Sequence, residues 1–563
     1  MNARAKTAKK ETRKESPAVV SKLSLMKQRD KLENLINQTL ARHDYEAASL
    51  IMDQYLKKFE DDMSYDQLCV IANTLSLLER NEQAFKLTMR ALRMNSDNPG
   101  APEILFWIYL NRGDKQALTV IDRLIEDGPA ERRQSYLYWK VLYANNTKDS
   151  EMLFSCIEVA GGLPSLDFDK YHHVVFSYIV ALCESGRADE AEPVLEGIPR
   201  EIFFNTQYLP MAEAHLKKTL GQYGEAVSIY EEMLKRHPGI PEATWNKSLA
   251  HLSLGQLEQG WIDHEARWDW AGYPSPKRLF DTPKWEGQPL ENRSILIWAE
   301  QGLGDQIMFL TLALPIIRNP LTRVVIEVSE KLVELFTVWY PEAEVRPFGD
   351  IDVRGNANYS EFDYQVPSAS LMKQFLPDIE SVRSRPIRFL GHDAQLKKEV
   401  LEKTSELPLV GICWRSSVVT KDRSSHYLNV HAVEKIAREM KGLANVVCLQ
   451  YAMDSDEREI LGSIDNVYIS EADFYDDILT HTRHIGICDY VITPPTVVSQ
   501  IAGICNKNTL TWGLKSWVFL GQRQYPWYPN HATLELSDNY SVSSLVYGVS
   551  KWIRSALLHL DHT

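Results

Sequence analysis

The chain has 563 residues, 44% hydrophobic and 25% charged, a folding composition with room for roughly three or four domains. A formal net charge of −14 argues against bulk nucleic-acid binding, and no run of about 18 apolar residues offers a membrane-spanning helix. The seven cysteines are dispersed, odd in number and free of any CxxC pair, which reads as reduced, mostly buried thiols in a cytoplasmic protein and not as a disulfide framework or a metal site.

The chain opens with MNARAKTAKKETRKES, which is basic but has no apolar core and carries Glu11 and Glu15. It fits neither a secretory signal nor a transit peptide, and residues 1–24 are predicted to be a disordered tail. From 25 to 275 apolar residues recur at three- and four-residue spacing between short polar turns, the pattern of stacked helices. LGQYGEAVSIYEEMLKRHPG from 220 is echoed by LGQLEQGWIDHEARW from 254, with Gly221 and Gly255 standing 34 residues apart. That is the period of a tetratricopeptide helix pair, and fainter copies occur at HDYEAA, NEQAF, RGDKQAL and SGRADEA. One pair cannot bury its own apolar face, so the units are predicted to stack into a solenoid of about five to seven repeats with a concave binding groove. DFD at 167–169 matches a metal-binding DxD in form, but its place among helices reads as a helix start.

Beyond about 290 the texture changes. SILIWAE, TRVVIEVS, LPLVGICWR, ANVVCLQYA, NVYIS, DYVITPP and NTLTWG are short apolar strand candidates separated by helical stretches. That alternation predicts parallel sheets covered on both faces, in two α/β domains at 285–395 and 400–540. Ligands of such sheets bind beyond the carboxyl ends of the strands. The loops that matter are therefore AEQGLGD, WRSSVVTKDR, QYAMDSDE and TPPTVVSQ.

In AEQGLGD the pair Gly302 and Gly304, with Glu327 at the end of the next strand, half-matches a dinucleotide fingerprint. Ile307 replaces the third glycine, and Asp305 sets a carboxylate where a pyrophosphate would approach, so nicotinamide binding is disfavoured. Asp305 itself reads either as a helix cap or as a general base within reach of an acceptor hydroxyl. Arg415, Lys421 and Arg423, beside two serines and a threonine, suit a phosphate or diphosphate, or form a solvated polar loop. Thr496 can cap a helix whose N-terminus favours an anion, with two prolines stiffening the approach. DSDE at 454–457 is a second DxD match and again reads as a helix start.

Taken in order, GWIDHEARW, PKWEGQPLENRSILIWAEQGLGDQIMF, DYVITPPTVVSQIAG and PWYPN resemble the bacterial tetratricopeptide-repeat proteins that carry a C-terminal glycosyltransferase domain of the GT-B type. The transferase part is similar to heptosyltransferases and, more distantly, to protein O-GlcNAc transferases. The resemblance covers residues 205–535 and implies an all-α repeat solenoid followed by a GT-B pair of Rossmann-like α/β domains. The glycine loop at Gln301, Gly302 and Gly304 would line the cleft, with Asp305 as catalytic base. Arg415, Lys421 and Arg423 would face the donor diphosphate, Gln450 would lie by the nucleotide, and Thr496 would start the phosphate-facing helix. Two positions depart from the family pattern: Pro495 stands where an aspartate is usual, and Gln500 where a histidine is usual.

What the resemblance implies is sugar transfer from a nucleotide-diphosphate sugar, with no metal or other cofactor. The acceptor would be a protein Ser or Thr delivered by the repeat groove, flagellin-like surface proteins being one class. The closing segment 541–563 is expected to pack back as a helix on both transferase domains. The alternative is a repeat scaffold whose transferase-like domain is vestigial, a reading motivated by Pro495 and Gln500.

Overall fold

The computed structural model describes residues 17–42, 45–78, 80–163, 168–349, 356–357, 360–416, 427–513, 516–535 and 541–560. It divides into two compact units, Met1–Ala181 and Leu182–Thr563. The cut falls inside the stretch read as a single repeat array, so the repeats after it belong with the α/β part.

The first unit is helical. Residues 1–16 of the predicted tail lie outside the described residues, and 17–24 are not a tail but the start of the helix Pro17–Ala41. Pro17 suits its first position, because that residue's N–H has no partner in any case. Antiparallel pairs follow: Tyr65–Leu77 with Asn81–Met94, Gly100–Asn111 with Gln116–Asp127, and Arg133–Thr147 with Ser150–Val159. At 168–184 the helix is interrupted by non-helical backbone at Tyr171, inside the stretch where the repeat spacing is irregular. Asp167 of the DFD match lies outside the described residues.

The second unit begins with more pairs, among them Tyr208–Thr219 with Tyr223–Arg236 and Pro241–Ser253 with Leu257–His264. The sequence period has a backbone cause. Gly221 (φ +72°) and Gly255 (φ +76°) each turn the chain in the left-handed region between paired helices. In each turn the next N–H reaches back to a carbonyl five residues earlier, Gln222 to Lys217 (2.8 Å) and Gln256 to His251 (3.0 Å), closing the first helix. Gly260 keeps the second helix close: a methyl there would fall 2.5 Å from Leu252 Cδ2.

Two parallel sheets follow. In the first lobe β1 (Arg293–Trp298), β2 (Thr322–Val328), β3 (Glu344–Pro347) and β4 (Tyr364–Pro367) lie in the order β3-β2-β1-β4. In the second, β5 (Leu409–Ile412), β6 (Asn445–Cys448), β7 (Val467–Tyr468), β8 (Tyr490–Ile492), β9 (Asn508–Gly513) and β10 (His531–Glu535) lie in the order β7-β6-β5-β8-β9-β10. All pairings in both sheets are parallel. The second order is the Rossmann winding 3-2-1-4-5-6, and the first is its 3-2-1-4 half. The central strands carry consecutive buried residues, as sheets covered on both faces require. The all-α repeats followed by two Rossmann-like domains are thus the fold that the sequence predicts.

Two helices matter for the site: α1 (Leu303–Leu310) after β1, and α2 (Val497–Ile504) after β8. They pack on each other across the lobes, and Ile307 and Met308 share one apolar core with Val498, Ile501, Ala502 and Tyr525. Lys331 ties the rims, donating to Tyr475 O (3.0 Å) and pairing with Asp476 (2.6 Å). The last helix, α3 (Val542–Leu560), is expected from the sequence to pack on both lobes; among the described residues its buried apolar side chains lie in the second. Its apolar residues Leu545, Val546, Val549, Ile553 and Leu557 are buried in the core of the second lobe, and Tyr490 donates to Ala556 O (3.2 Å).

Candidate functional site

In both lobes strand order reverses beside the first strand, between β1 and β4 and between β5 and β8. Such switch points open a crevice at the carboxyl ends of the strands. Here the two crevices meet. β1 runs into the glycine loop and α1, β8 runs into Thr493–Thr496 and α2, and the helix starts converge. A methyl on Gly304 would lie 3.6 Å from Val497 Cα and 3.5 Å from Gln500 Cγ. Two helix N-termini, each carrying a partial positive charge, therefore face one spot.

Asp305 occupies the third position of α1, and its Oδ2 accepts the Gly302 N–H (3.2 Å). It takes the helix-start role from inside the first turn, since Gly302 is the cap. It is half-buried and within electrostatic reach of Tyr525 in the other lobe: burial raises that phenol's pKa, and the Asp305 charge raises it further. Gln301 holds a left-handed backbone (φ +65°), sparsely populated for a residue with a Cβ. Its N–H donates to Ser275 Oγ (2.7 Å), its side-chain amide donates to Tyr273 Oη (2.6 Å), and its carbonyl accepts from Gln306 Nε2 (3.1 Å).

Behind the loop lies a network that the sequence reading missed. Arg267, from the end of the repeats, is fully buried and forms a two-pronged pair with Glu300, Nε to Oε2 (2.8 Å) and Nη2 to Oε1 (2.9 Å). Glu300 also accepts from Tyr273 Oη (2.7 Å) and from the Ala369 N–H (3.0 Å) beyond β4. Arg267 reaches Ser370 Oγ (3.0 Å) and Glu265 Oε1 (2.9 Å) besides. Burial opposes the charge on Arg267, but Glu300 and Glu265 outweigh it and raise its pKa. The available signal was a lone Arg and a lone Glu inside the apolar motifs GWIDHEARW and ILIWAEQ.

In the second lobe two residues read as donor-facing bond within the protein. Arg415 is the first. Its guanidinium pairs with Glu457, Nη2 to Oε2 (2.6 Å) and Nε to Oε1 (3.2 Å), and Nη2 also donates to Ala452 O (3.1 Å). A cation held by a carboxylate in this way is locally neutralised. Gln450 is buried and committed as well: its Oε1 accepts the N–H groups of Trp414 and Arg415 (3.0 Å each), and its Nε2 donates to Arg415 O (3.0 Å) and Tyr451 O (2.9 Å). It shapes the loop after β5. Lys421 and Arg423 lie outside the described residues.

Thr496 caps α2, its hydroxyl accepting the Val498 N–H (3.3 Å) and meeting the Thr493 hydroxyl at 3.3 Å. Gln500 donates to Tyr525 Oη (2.8 Å), which in turn touches Met308 Sδ (3.5 Å) of α1. Cys413, beneath these residues, is pushed up to about 12 by burial, so it is an inert thiol. Two motif alternatives close. Asp454 and Glu457 of DSDE form a capping box at the start of a helix. Glu327, the would-be ribose acid, is fully buried between Arg278 (2.8 Å) and Arg346 (2.9 Å).

No protein-family model matches the sequence. The chain is 27% identical over 349 residues to the protein FlbA of Caulobacter vibrioides, covering 58% of this chain and 57% of that one. It thus spans little more than half the length of the curated relative it matches. Among solved structures, the E. coli ADP-heptose lipopolysaccharide heptosyltransferase II aligns with 48% of this chain and 99% of its own, at 14% identity and a TM-score of 0.35. A glycosyl transferase family 9 structure from Veillonella parvula aligns with 46% of this chain and 92% of its own, at 13% identity and a TM-score of 0.33. A tetratricopeptide-repeat protein from Parabacteroides merdae aligns with 44% of this chain and 94% of its own, at 16% identity and a TM-score of 0.35. The architecture is helical repeats joined to two lobes, each built on a parallel Rossmann-like sheet. Among the described residues no helix is long and apolar enough to cross a membrane.

Proposed function

We propose that this chain is a GT-B glycosyltransferase that moves a sugar from a nucleotide-diphosphate donor to an acceptor hydroxyl. The observation that carries the reading is the convergence of α1 and α2 at Gly304 and Val497, where both switch points open. In the reaction the bond from the anomeric carbon to the phosphate oxygen breaks and a bond to the acceptor oxygen forms. The departing diphosphate gathers negative charge, and preorganised donors aimed at that charge are the largest catalytic term available. The start of α2, capped by Thr496, supplies such donors. Asp305, on the facing lobe, takes the acceptor proton onto a carboxylate oxygen. In this reading the transfer needs no metal; of the DSDE match, Asp454 and Glu457 form a helix cap and Glu457 also pairs with Arg415.

The acceptor in this proposal is a protein Ser or Thr presented by the repeats, of which flagellin-like surface proteins are one class. The seven cysteines are all free, which fits a reducing compartment such as the cytoplasm. Incubation with a panel of nucleotide sugars tests the reading, with release of nucleotide as the readout. Asp305→Asn is expected to lower turnover about 10²–10⁴-fold with nucleotide binding unchanged. Undiminished turnover of that variant removes Asp305 as the base.

A second reading has its own support: Arg415 and Gln450 spend their polar groups inside the protein, and Gln500 spends its amide N–H on Tyr525. A scaffold with a vestigial transferase fold would look this way. Calorimetry with UDP, GDP, ADP and CMP, read together with the release assay, separates the two, because the scaffold reading predicts either no binding or binding without turnover.

A further inference from the structure

We infer that Tyr273 is a positioning residue through which the last helical repeat of the second unit becomes part of the catalytic crevice. The inference deepens the transferase reading and rests on it for the role of Asp305.

Tyr273 lies in the segment that follows the last repeat helix, and it is buried. Its ring meets Trp245, in the repeat helix Pro241–Ser253, with centroids 6.2 Å apart, and Trp268 at 5.4 Å. Trp245 also stacks on Trp270 at 4.9 Å. The repeat therefore fixes where the phenol hydroxyl sits. That hydroxyl uses both of its capacities, donating to Glu300 Oε2 (2.7 Å) and accepting from Gln301 Nε2 (2.6 Å). Glu300 is in turn held by Arg267, so the acceptor for the phenol is itself immobile.

Gln301 is the residue that needs the restraint, because a side chain disfavours its left-handed backbone. Three contacts hold it: Tyr273 at the side chain, Ser275 at the N–H, and Gln306 at the carbonyl. The orientation of the peptide after Gln301 decides where the Gly302 N–H points, and that N–H is the donor to Asp305 Oδ2 (3.2 Å). A connected series thus runs from Trp245 through Tyr273 and Gln301 to Asp305. Whatever binds the face of this repeat and shifts Tyr273 would reach the base without touching it.

Tyr273→Phe is the test, because it keeps the ring and its packing and removes only the hydroxyl. Ser275→Ala is the companion, removing the other restraint on Gln301. In the full-length protein, amide hydrogen exchange is expected to accelerate about tenfold across residues 301–306 in either variant. Exchange in the second lobe is expected to stay as in the unsubstituted chain. Turnover on an active donor is expected to fall at least about tenfold, with the donor KM unchanged, since the groups that grip the donor lie in the other lobe. Unchanged exchange at 301–306 in both variants overturns the clamp. Accelerated exchange with unchanged kcat overturns its catalytic meaning. If the unsubstituted protein transfers no sugar at all, the transferase reading has failed, and the exchange experiment still decides the clamp.

Discussion

Replacing Glu300 by alanine should damage this protein more than any single change at the exposed crevice. The carboxylate accepts four bonds, two from Arg267, one from Tyr273 and one from the Ala369 N–H. Arg267 is fully buried, so losing Glu300 strands most of a cation away from water, with Glu265 (2.9 Å) as the remaining carboxylate beside the neutral acceptors Ser370 Oγ (3.0 Å) and His264 O (3.2 Å). Removing one member of such a pair costs about 3–5 kcal/mol. For a unit of this size, Leu182–Thr563, that corresponds to a drop of roughly 4–6 °C in the calorimetric transition. The double variant Arg267→Met with Glu300→Leu removes both charges and fills their volume, so it should be more stable than Glu300→Ala alone. Scanning calorimetry of Glu300→Ala, the single variant Arg267→Met and the double variant checks this. A shift under about 2 °C for Glu300→Ala, or a double variant that melts below both single ones, would refute the claim that this pair holds the end of the repeats to the glycine loop.

Two further outcomes follow from the second lobe and the buried histidines. If Arg415 and Glu457 act as one internal pair, Arg415→Ala and Glu457→Ala should weaken nucleotide binding to the same degree by calorimetry; a loss confined to Arg415→Ala would mean that the guanidinium grips ligand. His264, His481 and His531 are each lowered by burial to about 3 from 6.5. Between about pH 6.5 and 3 the unfolded chain protonates all three while the native state keeps them neutral, so stability is lost as pH falls through that window, by about 1.4 kcal/mol per pH unit for each. Glu265 adds to this below pH 4.5: against the burial that would raise it, Arg267 and Lys284 hold it at about 2, and its contribution disappears as it protonates. His531 has no hydrogen-bond partner for either ring nitrogen among the described residues, so His531→Phe should flatten the pH dependence of the melting temperature between pH 6.5 and 4.

Local chemistry explains what was legible beforehand. The turn glycines Gly221 and Gly255 could be found because a left-handed backbone selects glycine at a fixed place in each repeat. Most of the seven strand candidates were readable because fully covered parallel strands are continuous apolar runs, whereas β3, β4 and β10 are interrupted by polar side chains. The starts of α1 and α2 were marked by Asp305 and Thr496. Partnership across the sequence was not marked. Nothing near Arg415 announces Glu457, 42 residues on, so a cation after a strand read as a phosphate ligand. Arg267 and Glu300, 33 residues apart, posed the same problem in reverse: the charges were visible but their pairing was not. The division at Ala181 was hidden too, because a run of similar helices carries no sign of which neighbours share a core.

Gly304 gives the molecule an unusual handle. Where α1 meets α2 there is bare backbone on one side and Val497 on the other, with space for one methyl at ordinary contact distance. The gap is thus set by a position that performs no chemistry of its own. Alanine would fill it, and valine or leucine would wedge it in graded steps while leaving Asp305 and Thr496 chemically intact. How far apart the reacting partners stand could then be dialled independently of what they are, a separation of variables that most catalysts do not offer the experimenter.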